Sequence, residues 1–242
     1  MRIALISDLH GNEVALRAVL ADAERARADR IICLGDVATL GPRPNEVIAI
    51  LRELGCPCIV GNHDAFLLEP RLVEGYTDAA VVLEAIEWCR AQLTADEIAF
   101  LRSFVPTAEV PLDSAGTLFL FHGSPRSHTE DLLATMPPEE LDEALGGVAG
   151  TVLAGGHTHL QMLRQHDGRL LVNPGSVGMP FKEYVGGRTP TVLSHAEYAI
   201  VEVERGVVGI DLRRVPLERA ALRAAAEASG NPFRAMLLRQ YA

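Results

Sequence analysis

The sequence predicts an α/β protein with two sheets or one large mixed sheet, folded as a single domain over residues 1–242. Three observations carry that expectation. Short apolar runs alternate with helical periodicity in the first third of the chain. Strand candidates and a hairpin dominate the second half. A length of 242 residues, 48% of them apolar and with no low-complexity run, suffices for one large core.

Taken in order, RIALIS, DRIICLG and CPCIVG are short apolar runs suited to buried strands. After the first, Leu16, Val19, Leu20 and Ala23 fall at i, i+3, i+4 and i+7, and Val47, Ile50, Leu51 and Leu54 repeat the pattern after the second. Helices between strands imply right-handed crossovers and parallel pairing. Residues 77–105 read as mainly helical. TLFLFHG, GTVLAGG and GRLLVNPG are further strands, with an Asp167-Gly168 turn leading from LQMLRQ into RLLVN. EYAIVEVERGVVGIDLRRV reads as a closing hairpin around Arg205-Gly206. A C-terminal helical segment occupies about 217–242, interrupted at SGNP. Its apolar face, including Met236, Leu237 and Leu238, is expected to pack on the core, with pairing in a homo-oligomer as the alternative.

Composition narrows the function classes. The opening apolar stretch meets Asp8 too soon for a signal peptide, and no segment has the length of a membrane span, so a cytoplasmic protein without a membrane partner is expected. The four cysteines are expected to be reduced thiols, since CPC at 56–58 lacks zinc-site spacing and no second pair answers it. A formal net charge of −10 with only 5% aromatic residues argues against stable nucleic-acid binding by basic grooves and stacking. Hydrolysis of a phosphate ester stays open if cations offset the field.

The same event follows each strand candidate. IALIS leads to DLHGN, IICLG to DVATLGP, CIV to GNHD, LFLF to HGSP, VLAG to GHTH and LLV to NPGS. Ligands of α/β sheets gather at carboxyl ends of strands, and glycines there permit tight turns. Any one of these polar residues alone would read as a turn or cap. Five of the eight histidines, His10, His63, His122, His157 and His159, nevertheless fall in these turns. Mixed Asp, Asn and His ligands suit manganese, iron or zinc, and so many groups suit a pair of ions sharing one carboxylate.

DLH, GDVATLGP, GNHD, HG and GHTH, in that order from Asp8 to His159 and followed by NPGSVG, resemble the calcineurin-like metallophosphoesterases, in particular their small bacterial and archaeal phosphodiesterase branch. The resemblance implies a four-layer α/β/β/α sandwich with two mixed β-sheets. It implies two divalent ions, manganese first and iron, zinc or nickel as alternatives. Asp8, His10 and His159 would hold one, Asn62, His122 and His157 the other, and Asp36 would bridge them. A bridging hydroxide would attack phosphorus in line, with His63 protonating the departing oxygen. Asp64 would either orient His63 or cap a helix. The implied partner is a small phosphate-ester substrate, a diester first. The alternatives are a phosphomonoesterase or protein phosphatase, and a non-catalytic metal-binding scaffold like the retromer subunit that shares this fold. Arg126, then Arg43, Phe66 and Lys182, are the candidates for substrate contact because they lie in or near the motif-bearing loops.

Overall fold

In the computed structural model, which describes residues 1–241, alternation along the first strand sorts the layers. Ile3 and Leu5 of β1 (Arg2–Ile6) face one way and Ala4 and Ile6 the other, and all four are fully buried. Ala4 and Ile6 pack with Leu16, Val19, Val47 and Leu51 of two helices, α1 (Glu13–Arg25) and α2 (Pro44–Leu54). Ile3 and Leu5 instead meet Leu118, Leu120, Val152 and Val172 of a second sheet.

The first sheet has the order β2 (Arg30–Cys33), β1, β8 (His195–Glu204), β9 (Val207–Pro216), with β1 parallel to β2 and antiparallel to β8. The second has the order β3 (Ala108–Pro111), β4 (Thr117–Leu120), β5 (Val152–Ala154), β7 (Arg169–Asn173), β6 (Met162–His166). Its three central strands are parallel and its two outer ones antiparallel. On its far face Phe119, Leu153 and Leu171 pack under Leu141, Ala144 and Leu145 of α6 (Pro138–Leu145). The layers therefore run helix, sheet, sheet, helix, as the motif resemblance implied.

Local chemistry fixes the helix ends. Asn12 accepts the Ala15 N–H at 3.1 Å to start α1, which carries Glu13 in its first turn and Arg25 in its last. A proline opens α2, and Gly55, at φ 59°, ends it. The 77–105 region resolves into α4 (Ala80–Gln92) and α5 (Ala95–Leu101), the latter opened by a Thr94–Glu97 capping box. The C-terminal helices α7 (Arg219–Ala228) and α8 (Arg234–Gln240) bury Leu222 and Leu237 against Leu40, Ala85 and Met179, with Met236 and Leu238 partly buried beside them.

Three expectations need correction. CPCIVG makes only isolated bridges, Cys33 with Cys58 and Ile59 with Val105. Pro57 has no N–H to donate, and Asn62 already begins α3 (Asn62–Leu68). The parallel pairing expected in the first half holds between β1 and β2, but β1's second neighbour is the antiparallel β8 from near the other end of the chain. β3 and α6 went unanticipated. No described helix is long and apolar enough to cross a membrane.

Candidate metal centre

The strand-end turns converge on one edge of the sandwich. Asp8 N–H donates to the Gly35 carbonyl at 3.0 Å and His10 N–H to Asp36 O at 2.9 Å within the first sheet's turns, Gly156 N–H donates to His122 O at 2.7 Å within the second's, and His157 N–H on Asp8 Oδ2 at 3.1 Å stitches the two sets together. Asp8, His10, Asp36, Asn62, His122, His157 and His159 are all buried. Five of the ten described non-glycine residues with positive φ are among them: Asp8 (53°), His10 (42°), Asp36 (57°), His157 (69°) and His159 (58°). Such conformations cost of the order of 1–3 kcal/mol each and persist where the surroundings impose them. Here they turn each side chain inward at the end of its strand. Close approach also requires Gly61 and Gly156: a Cβ on the first would collide with the Asp36 carboxylate, and one on the second with Ser7 and Asp8.

The inward groups form two clusters, Asp8–His10–His159 and Asp36–His122–His157, each with its ligand atoms within 4.8 Å of one another. Asp36 lies between them, its Oδ2 being 3.4 Å from His122 Nε2 and 3.9 Å from His10 Nε2. His122 Nδ1 donates to the Leu34 carbonyl at 2.6 Å and His159 Nδ1 to the Met179 carbonyl at 2.7 Å, which leaves each Nε2 facing the centre. The Asn62 amide completes the second cluster, with its terminal atom 3.0 Å from His157 Nδ1, 3.1 Å from His122 Nε2, 3.3 Å from Asp36 Oδ2 and 3.2 Å from the His128 carbonyl. Taken as oxygen, that atom faces only acceptors. Asp8 Oδ1 is buried with no hydrogen-bond partner among the described residues. Nitrogen and oxygen lone pairs converging in this way are what divalent ions satisfy, and each of the two clusters offers such a set.

Electrostatics agree. Burial works against a charged His122, yet Asp36 and Asp8 outweigh it and hold it protonated up to about 10. Burial opposes a charged His159 as well, but Asp8 wins and raises it. Burial pushes His10 down to about 3, with the nearby His159 adding to the effect. Asp8 would be pushed up by burial, but His159 and His122 bring it down to about 2. The two buried carboxylates thus favour positive charge on the groups around them, the sign of charge that divalent ions would supply.

His63 lies outside both clusters. Its backbone N–H donates to Asp36 Oδ1 at 2.8 Å, its ring meets His10 edge-on at 5.1 Å, and its Nδ1 is buried without a hydrogen-bond partner among the described residues. Burial lowers its pKa. Asp64 makes none of its described hydrogen bonds to His63. Its Oδ2 accepts from Gly61 N–H at 2.9 Å and Asp36 N–H at 2.8 Å, and its Oδ1 from Val37 N–H at 2.9 Å. Of the two roles expected for it, those bonds match the cap, extended to clamp the GNHD turn to the GDV turn. Burial and then the Asp36 charge push Asp64 up to about 7 against those three donors.

The substrate-side candidates scatter. Arg126 pairs with Glu130 and reaches Glu143 at 3.4 Å, while Arg43 pairs with Glu13 at 2.8 Å. Phe66 is buried beside His63 and Lys182 is exposed. NPGSVGM serves as a brace: Asn173 Nδ2 donates to the Gly156 carbonyl at 2.6 Å and Ser176 Oγ to the Asp8 carbonyl at 2.7 Å. The sequence reading missed Asp131, which lies 3.4 Å from His157 Nε2 and accepts from Tyr184 Oη at 2.7 Å. It also missed Tyr76, whose ring lies 6.3 Å from those of both His63 and His157. Neither carries a sequence signal, each being a lone residue in a polar stretch.

A two-sheet sandwich with paired buried ligand clusters at its strand ends defines a class, and residues 1–206 match the calcineurin-like phosphoesterase superfamily domain. The chain belongs to that family. It is similar to the uncharacterized protein MJ0912 of Methanocaldococcus jannaschii, at 31% identity over 193 residues, covering 74% of this chain and 76% of that protein. Its structure is similar to that of a metallophosphoesterase from Sphaerobacter thermophilus, with a TM-score of 0.76 at 28% identity over 100% of this chain and 98% of the other. The hypothetical protein PH1004 from Pyrococcus horikoshii OT3 shares the fold, with a TM-score of 0.81 at 17% identity, covering 98% and 96%.

Proposed function

We propose that this protein hydrolyses phosphodiesters with two divalent ions, manganese first, held by Asp8, His10 and His159 on one side and Asn62, His122 and His157 on the other, with Asp36 shared. The observation that carries the reading is the position of Asp36 Oδ2 between the two clusters, with His63 beside them and outside both. Bound ions would supply Lewis-acid charge for the phosphate oxygens and a nucleophilic water at neutral pH.

The chain's own residues do the rest. Burial keeps the ligands dry and fixes their geometry. The Leu34 and Met179 carbonyls hold two imidazoles in the ligating tautomer. As a water oxygen bonds to phosphorus, the opposite P–O bond breaks and the departing oxygen takes a proton from the His63 ring. Charge favours a diester: the chain is acidic overall, Arg43 and Arg126 are both paired to glutamates, and a diester brings one negative charge where a monoester brings nearly two.

The test is a metal-dependent activity comparison. Metal-free protein reconstituted with manganese is expected to cleave an aryl phosphodiester faster than the matching monoester, with chelator abolishing both. Faster monoester cleavage would move the assignment to a phosphomonoesterase. Absence of turnover with both sites filled would make the protein a metal-binding scaffold.

A further inference from the structure

Beside the centre lies a cavity of about 340 Å³ that the ligand clusters do not use. Phe66, Leu72 and Tyr76 form one wall, and Arg126, His128 and Thr129 face them. It borders the centre at two points. His128 turns its carbonyl toward the Asn62 amide at 3.2 Å. Tyr76 stands 6.3 Å, ring to ring, from both His63 and His157, at the rim between the group outside the clusters and the second cluster.

The aromatic wall lies on the His63 side. Phe66 meets His63 at 5.4 Å and backs Tyr76 at 5.4 Å, tilted by 45°. Phe66 is only 2% exposed and supports the wall from behind, whereas Tyr76 is 44% exposed and Leu72 46%, so these two offer the contact surface. Opposite them, the Arg126 guanidinium is held by Glu130 and Glu143 and is not free for a second phosphate. The cavity therefore presents a flat π-face and an aliphatic edge, with no unpaired arginine, next to the group assigned to protonate the departing oxygen. An aromatic ring gains from stacking on such a face, whatever its substituents.

We infer that this cavity is the leaving-group subsite and takes an alcohol carrying a flat aromatic ring, stacked on Tyr76, while the phosphate lies over the two clusters. The assignment rests on the phosphoesterase reading above and narrows its substrate class to esters of aryl alcohols or nucleosides. Tyr76 is then the specificity-determining residue, and Phe66 sets the plane of its ring.

Two measurements test it, one through turnover and one through binding alone. In the first, manganese-loaded protein is given methyl phenyl phosphate and a methyl fluoroalkyl phosphate whose alcohol matches phenol in acidity. A preference of tenfold or more in kcat/KM for the phenyl ester is expected. Tyr76→Leu should collapse that ratio with metal content unchanged, and Tyr76→Phe should restore most of it. An absent preference, or a ratio that survives Tyr76→Leu, overturns the subsite. In the second, calorimetry compares phenylphosphonate with methylphosphonate on the same protein. About tenfold tighter binding of the phenyl compound, lost in Tyr76→Leu, is expected, and equal binding overturns the assignment. If no ester is cleaved while the phenyl preference in binding persists, the reaction reading falls and the aromatic subsite stands. A nucleoside phosphonate that binds at least as tightly as phenylphosphonate identifies nucleosides as the source of the ring. Weaker binding identifies a smaller aryl alcohol.

Discussion

His10 Nε2 and His159 Nε2 lie 3.1 Å apart, brought together from turns separated by 149 residues. His159 carries its hydrogen on Nδ1, toward Met179 O, so two ring nitrogens face each other across the space a shared ion would fill. Asp36 links this pair to the second cluster. Asp36→Asn is expected to weaken both sites, because it removes the one negative charge they have in common. Elemental analysis after manganese loading should fall from two ions per chain toward none. A variant that still held two would dissolve the shared-ligand assignment.

His63→Ala should retain both ions and the fold while slowing hydrolysis by roughly a hundredfold or more, the usual scale of acid assistance. The loss is expected to be larger for an alkoxide leaving group than for nitrophenolate, which needs little protonation. Loss of an ion instead would make His63 a ligand, and equal slowing of both substrates would remove its role as acid.

Asp64→Ala strips three backbone N–H groups, those of Gly61, Asp36 and Val37, of their buried acceptor. Unfolding in denaturant is expected to show a loss of about 3 kcal/mol or more. Metal binding should weaken with it, because the Asp36 turn is one end of the clamp. A change below about 1 kcal/mol would show that water replaces the carboxylate at little cost.

Asp131→Asn tests whether the carboxylate 3.4 Å from His157 Nε2 orients that ring. Manganese affinity at the second site should drop about tenfold, as removal of such a partner typically does. Tyr184→Phe, which deletes only the hydroxyl on the far oxygen of Asp131, should have a smaller effect in the same direction. Unchanged affinity in Asp131→Asn would leave the contact without a role.

Asp22 gives a pH dependence remote from the centre. Burial would raise its pKa, but hydrogen bonds from Tyr198, Arg213 and Arg25 outweigh it and lower it. A carboxylate with a folded pKa below its unfolded value of about 4 adds stability above that value and loses it as pH falls through the folded pKa. The bonds from Tyr198 Oη at 2.7 Å and Arg213 Nε at 2.9 Å tie α1 to β8 and β9. Asp22→Asn is therefore expected to lower stability at pH 7 and to flatten its decline below about pH 4. An acid limb as steep as in the parent would place that decline on other carboxylates.

What the sequence disclosed follows from the range of each interaction. Leu16, Val19, Val47 and Leu51 were legible as helix faces because their spacing repeats within one turn, and all four are buried under the first sheet. The ligand residues were legible because six strand candidates end on the same residue types. β3, with Ala108 and Val110 half-buried between exposed Glu109 and Pro111, has too short and weak a pattern to register. Asp64 reads identically in sequence whether it serves a ring or three backbone amides. Tyr76 and Asp131 gain meaning only from what the fold places opposite them.

The pairing of β1 with β8 sets when the protein can be finished. A growing chain that has reached Ser194 already carries all seven candidate ligand side chains, yet β1 has only β2 beside it. Its other edge is closed by residues 195–204, with Arg2 opposite Glu202 and the Val203 N–H on the Met1 carbonyl. Until those residues leave the ribosome, β1, which ends just before Asp8, stays an open edge of the kind that invites wrong partners. Contacts spanning this much chain are also slow to form. Completion of the sheet beside the proposed metal centre is accordingly timed by the last strands to be synthesised, none of which carries a candidate ligand.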